Sequence, residues 1–153
     1  MKVLVCGGRN YNDREFVRIV LDRIQRETPI TLLIHGACGW DRDKDNSDRP
    51  MTGADRWADE WAHARGVPCE RMPARWGRYG IVAGAIRNRE MLVKRPDIVV
   101  AFPGERGTRN CVDQARHLGI SVEHAARDPA EAALALREDI ARNQKTRRKG
   151  IGL

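Results

Sequence analysis

The strongest constraint on the fold is a set of short runs that are apolar on both of their faces. Lys2 to Cys6 (KVLVC), Thr31 to His35 (TLLIH) and Asp97 to Phe102 (DIVVAF) lack the in–out alternation of a strand with one wet side, and each is followed by glycine or Pro-Gly. Weaker runs at Val67 to Met72 and Ile120 to His124 complete a set of five. Strands of this kind are covered on both faces, which implies a parallel sheet between two layers of helices.

Between these runs the apolar spacing changes to that of helices. Asn12 or Asp13 can cap a helix to about Glu27, with Phe16, Ile19, Val20 and Ile24 on one face. Thr52 and Asp55 match a capping box opening a helix from Gly53 to about Ala64, with Trp57 and Trp61 as core and Gly66 as its stop. Further helices are expected from about Ala85 to Lys94, from Thr108 to about Leu118, and from Pro129 to about Asn143. Residues 38–51 read as a polar surface loop and Ala74 to Gly84 as irregular and aromatic. The expectation is an α/β, doubly wound, mainly parallel five-stranded sheet with helices on both faces. With 153 residues it forms one domain over 1–140, followed by a basic, flexible tail over 141–153.

The net charge of +7 is unevenly placed. The tail holds Arg142, Lys145, Arg147, Arg148 and Lys149 with no acid, and residues 71–95 hold seven bases against Glu90 alone. Elsewhere acids outnumber bases. A slightly acidic body with one basic segment points to a focused anionic ligand more than to a coat of nucleic acid. No run approaches the length of a membrane span and the first apolar run is too short for a signal peptide, so a cytoplasmic protein without membrane contact is expected. Cys6, Cys38, Cys69 and Cys111 show no paired metal-ligand spacing and are expected as reduced thiols.

In parallel sheets ligands bind at the carboxyl ends of strands, so the loops after Cys6, His35, Met72 and Phe102 matter most. Pro103 to Thr108 (PGERGT) joins a strand to a helix start, where unpaired amides and the helix dipole favour a phosphate; Gly104, Gly107 and Thr108 would hold it, the alternative being a plain turn. Gly7 and Gly8 stand at the equivalent place after the first strand, without the GxGxxG fingerprint, and either admit a ligand or serve packing alone; Arg9 beside them could pair with phosphate. Arg87 and Asn88 open a helix in the basic segment and read either as anion ligands or as a solvated face. Asp55 is either a ribose ligand or the acid of the capping box. Trp76 and Tyr79, among arginines, either stack on a base or anchor the loop.

Two metal readings fail on spacing. Asp41, Asp43 and Asp45 begin like a calcium loop, but its sixth position is Asn46 and its twelfth is Thr52. The four histidines lack HxxxH or HExxH spacing. Neither a metal nor another cofactor is expected.

In chain order, VLVCGGRNYND, HGA, GADRWADEWA, PARWGRYGIVAGAIRNREML and PDIVVAFPGERGT resemble the SLOG superfamily. This Rossmann-like group contains Smf/DprA and the Lonely Guy phosphoribohydrolases, and the resemblance is to its YspA-like branch, over about residues 2–125. It implies a pocket for a nucleotide or an ADP-ribose-like molecule at the glycine loops, and a homodimer. PGERGT resembles the family's PGGxGT phosphate loop, with Glu105 at a usual glycine. Arg87 and Met91 resemble the RxxxM spacing of the Lonely Guy enzymes, whose Arg is catalytic. Those enzymes carry a Glu two residues after the loop Thr, where this chain has Asn110, which cannot act as acid or base; Asp113 is a substitute one turn on. The residues 38–51 look like an insertion at the rim.

The expected function is therefore binding or sensing of a nucleotide-derived phosphate ligand through Gly7, Gly8, Arg9, Asp55, Arg87, Asn88, Gly104, Gly107 and Thr108. The alternatives are a nucleoside-monophosphate phosphoribohydrolase with Arg87 catalytic, and DprA-like nucleic-acid binding through the basic segment and tail.

Overall fold

A computed structural model describes the backbone of residues 1–151 and the side chains of residues 1–150. Five parallel strands, β1 (Lys2–Cys6), β2 (Leu32–His35), β3 (Cys69–Arg71), β4 (Ile98–Ala101) and β5 (Ser121–His124), lie in the order β3-β2-β1-β4-β5. Helices α1 (Arg14–Glu27), α2 (Gly53–Arg65), α3 (Trp76–Tyr79), α4 (Ala83–Val93), α5 (Arg106–His117) and α6 (Pro129–Ile151) connect and cover them.

The apolar runs are explained by the two cores they serve. Val3, Val5, Leu33 and Val100 point to one face, where Val17, Leu21 and Ile24 of α1 and Ala58 and Trp61 of α2 bury them. Leu4, Cys6, Ile34, Val99 and Ala101 point to the other, against Met91 and Leu92 of α4 and Cys111, Val112 and Ala115 of α5. Successive strand residues face opposite layers, so neither set can be polar. Val3 lies opposite both Leu33 and Ile98, which sets β1 at the centre of the sheet.

Asp13 caps α1, accepting from the Phe16 amide at 3.0 Å. Gly66 ends α2 in the left-handed conformation at φ 66°. Trp61 is buried and its Nε1 donates to Asp22, whereas Trp57 is half-buried and donates to the Tyr11 carbonyl.

Three expectations change. The capping box at Thr52 does not form: Thr52 makes no side-chain cap, and Asp55 turns away to accept from the Cys38 amide at 3.0 Å. The α2 N-terminus instead gives its Ala54 amide to the Gly8 carbonyl, so the β1 loop does the capping. The segment from Ala74 to Gly84 is helical in part, as α3 and a 3₁₀ turn over Gly80–Val82. Finally, α6 does not stop near Asn143 but continues to Ile151. Nothing from Ile140 to Lys149 breaks a helix, and Arg142 is anchored by Asp113 and Asp139. The expected tail is thus helical as far as it is described; residues 152 and 153 lie outside the described residues. No helix among the described residues is long and apolar enough to cross a membrane.

Candidate functional site: a cleft at the strand reversal

From β1 the sheet grows in one direction through β2 and β3 and in the other through β4 and β5. The loops after β1 and β4 therefore diverge at the point where such sheets open a crevice. A cleft of about 540 Å³ lies there, and all nine expected ligand residues line it: Gly7, Gly8, Arg9, Asp55, Arg87, Asn88, Gly104, Gly107 and Thr108.

The Pro103–Thr108 loop forms its floor. Among the described residues, the amides of Arg106, Gly107 and Thr108 have no acceptor, and Glu105, at the N-cap of α5, makes no side-chain cap. The start of α5 thus leaves donors free toward the cleft. The Thr108 hydroxyl sits over Gly104: a Cβ there would lie 2.1 Å from Thr108 Oγ1 and 2.7 Å from the Gly8 nitrogen. Gly8 is engaged within the protein, its amide donating to the Pro103 carbonyl at 2.9 Å. A Cβ at Gly7 would meet Ala54 Cβ at 2.6 Å. The paired glycines after β1 are therefore required by loop-to-loop packing whether or not a ligand approaches.

Arg87 reaches the cleft from α4. Its Nη1 donates to the Gly36 carbonyl at 2.5 Å, and a Cβ at Gly36 would collide with the guanidinium at 2.3 Å, so the HGA glycine after β2 is the seat of this arginine. Asn88 is buried and engaged on both sides. Its Oδ1 accepts from Arg87 Nε at 3.0 Å, and its Nδ2 donates to the Gly107 carbonyl and to Asn110 Oδ1. Asn110 Oδ1 also accepts from Gln114, which reaches back to the Ala85 carbonyl. Asn88 is thus a strut between α4 and the Pro103–Thr108 loop, orienting Arg87 more than offering atoms of its own. Asn110 and Gln114 belong to this strut and were not expected as site residues. Asp113 does not substitute for an acid there, since it pairs with Arg142 of α6.

Asp55 and Cys6 complete the inner wall, with Cys38 at the rim. The Cys6 thiol is pushed up by its hydrogen bond with Cys111 and by burial, so it stays protonated at neutral pH. Arg9 and Arg106 stand exposed at the mouth, with no carboxylate partner among the described residues. Arg106 was not singled out in sequence; as the first residue of α5 beside unpaired amides, it could have been. Trp76 also lines the cleft, with its ring against Gly84, whereas Tyr79 is outside it with Arg78 over its ring. Residues 38–51 are docked on this aromatic segment and on α4: Asp41 accepts from the Asp43 and Gly77 amides, Arg75 pairs with Asp43, and Arg42 pairs with Glu90.

Behind the β2 loop lies a buried polar cluster. The Ala37 amide donates to His35 Nδ1 at 3.0 Å, which leaves the ring proton on Nε2, donating to Asp59 Oδ1 at 2.8 Å. Arg71 closes on the same carboxylate with two bonds, at 2.8 and 3.0 Å. Burial pushes the Asp59 carboxyl up, but the bonds from His35 and Arg71 outweigh it and hold it well below the usual carboxylate range. Cys69 packs against Asp59, and burial with that charge pushes its thiol up to about 12. His35, Asp59 and Cys69 are close enough to suggest a metal centre. The donor set argues otherwise: His35 Nε2 carries a proton, the thiol is not ionised, and Arg71 already occupies the carboxylate. The cluster instead holds the turn whose Gly36 carbonyl seats Arg87.

The sequence model of the YspA, cpYpsA-related SLOG family matches residues 1–43, the stretch carrying the β1 glycines and the Gly36 seat. The Gene 61 protein of Mycobacterium phage D29 is 33% identical over 129 residues, covering 79% of this chain and 93% of that protein. The chain belongs to the YspA, cpYpsA-related SLOG family. Among solved structures, the Moco carrier protein from Chlamydomonas reinhardtii overlaps 92% of this chain and 98% of its own, at 17% identity and a TM-score of 0.49. The phage relative covers nearly its whole length, so the family assignment extends across the cleft and not only its first loop.

Proposed function

We propose that this protein binds a nucleotide-derived phosphate ligand in the cleft at the strand reversal. One observation carries this reading: the free amides at the start of α5 and the Thr108 hydroxyl face the same space as Arg87, Arg9 and Arg106. A phosphate is the group that satisfies amide donors and guanidinium forks together. Gly104, Gly107 and Thr108 hold it, and Arg87, oriented by Asn88 and Gly36, neutralises it. Asp55 accepts from ribose hydroxyls, and Trp76 offers a face to a base. Gly7, Gly8 and Asn88 act by shaping the site.

Isothermal titration of the purified chain with AMP, ADP and ADP-ribose tests this. The expected result is binding that Arg87→Ala weakens by about tenfold or more, the scale of a lost charge-assisted bond. Absence of binding to every ligand, in a sample with a cooperative thermal transition, overturns it.

A further inference from the structure

A second cavity, of about 340 Å³, lies on the far side of the Pro103–Thr108 loop. It sits over the carboxyl ends of β4 and β5, between buried Phe102 and Val112 on one side and Leu134 and Ala135 of α6 on the other. A concave, mostly apolar space of this size suits a small molecule.

Its charge is opposite to that of the cleft. Asp139, only 2% exposed, is held by Arg116, His124 and Arg142, and Asp113 takes a further bond from Arg142. Glu105, Glu131 and Glu138 remain at the walls with no cationic partner among the described residues, against Arg109 alone. Glu131 and Glu138 stand two turns apart on one face of α6 and bracket Ala135. The cavity therefore sets an uncompensated negative field beside an apolar wall, whereas the cleft carries Arg9, Arg87 and Arg106.

The two spaces share one wall, since Pro103, Gly104, Glu105 and Thr108 line both. Glu105 borders each of them. Toward the cleft its charge opposes an anion at the α5 amides; toward the cavity it is a free acceptor for a cation.

We propose that this cavity binds an organic amine, an ammonium group on an apolar body, and is an effector site for the cleft. The ammonium lies among the carboxylates of Glu105, Glu131 and Glu138, and the body lies on Phe102 and Val112. The bound cation offsets Glu105 and so strengthens anion binding across the shared loop. The effector role rests on the phosphate reading of the cleft; amine binding itself does not.

Benzylamine and benzyl alcohol form the discriminating pair, because they share a body and differ in charge. Titration of the full chain at low salt should give about tenfold tighter binding of the amine than of the alcohol. The double variant Glu131→Gln, Glu138→Gln, at exposed positions, should weaken the amine by about fivefold, and Ala135→Leu, which fills the cavity, should remove its binding. The charge variant alone decides the matter if Ala135→Leu disturbs α6. Saturating benzylamine should tighten ADP by about fivefold, a factor that ADP returns on the amine, and Glu105→Gln should abolish this coupling. Equal binding of amine and alcohol, or an amine affinity that the charge variant does not move, overturns the site. Amine binding that leaves the ADP affinity unchanged overturns the effector role. Amine binding that follows the variants, in a chain that binds no ADP, upholds the amine site and overturns the phosphate reading together with the effector role.

Discussion

Replacing Asp59 with alanine should destabilise the fold by about 2–3 kcal/mol at neutral pH, the scale of a buried donor left unpaired plus a lost charge-assisted bond. Alanine removes both acceptor oxygens and leaves the His35 and Arg71 donors in place. The Arg71 side chain is 40% exposed and recovers water, so its share is small. His35 is fully buried and has no other acceptor for Nε2 among the described residues, so its share dominates. At about 2–4 °C per kcal/mol for a chain of this length, the melting temperature should fall by roughly 5–10 °C. Urea unfolding monitored by circular dichroism gives the free energy directly, with the slope m unchanged. The pH dependence supplies a second check. A carboxyl depressed in the folded state contributes stability that is complete above its unfolded value of about 3.9, and that contribution is lost as pH falls through the folded value. The advantage of wild type over Asp59→Ala should therefore shrink as pH drops below about 4. A difference under about 0.5 kcal/mol at neutral pH, or one that stays constant into acid, would refute the assignment of Asp59 as the acceptor holding His35.

Two further predictions separate packing from ligand contact. Gly104→Ala forces a Cβ against the Gly8 backbone and should cost about 1–3 kcal/mol in thermal melts, whereas Gly107→Ala meets nothing within 4 Å and should be neutral or stabilising by up to about 1 kcal/mol. Similar losses in both would contradict the loop geometry. Truncation after Ala141 removes one of the cations on buried Asp139 and should lower stability by about 1–2 kcal/mol, as seen by calorimetry; an unchanged melting temperature would mean that Arg142 does not dock α6 on α5.

Much of the fold is legible locally. The double-faced apolar runs place β1, β2 and β4 within a residue of their observed bounds, because a strand between two cores takes apolar residues on both faces, the satisfied His35 of β2 aside. Helix ends are less legible where the cap comes from a distant loop: Thr52 and Asp55 have the residues of a capping box, yet the Gly8 carbonyl takes the Ala54 amide. The candidate site residues at strand ends are visible as glycine loops and a basic helix start. The struts are not, because Asn110 and Gln114 look like ordinary polar positions of α5 until α4 lies beside them.

Residue order alone determined the strand count, the parallel layering and the loops that gather at one edge, since these follow from periodicity and from glycine and proline placement. Only the tertiary structure decided why each glycine is there and where charge is free. Close approach of Gly8, Gly104 and Thr108 is a property of three chain segments at once. The +7 likewise resolves by pairing: Arg71, Arg75 and Arg142 are held by carboxylates, while Arg87 is seated on the Gly36 carbonyl and Arg9 and Arg106 face the cleft. Which cations can meet an anion depends on which acids fold beside them, a distance that no single stretch of sequence contains.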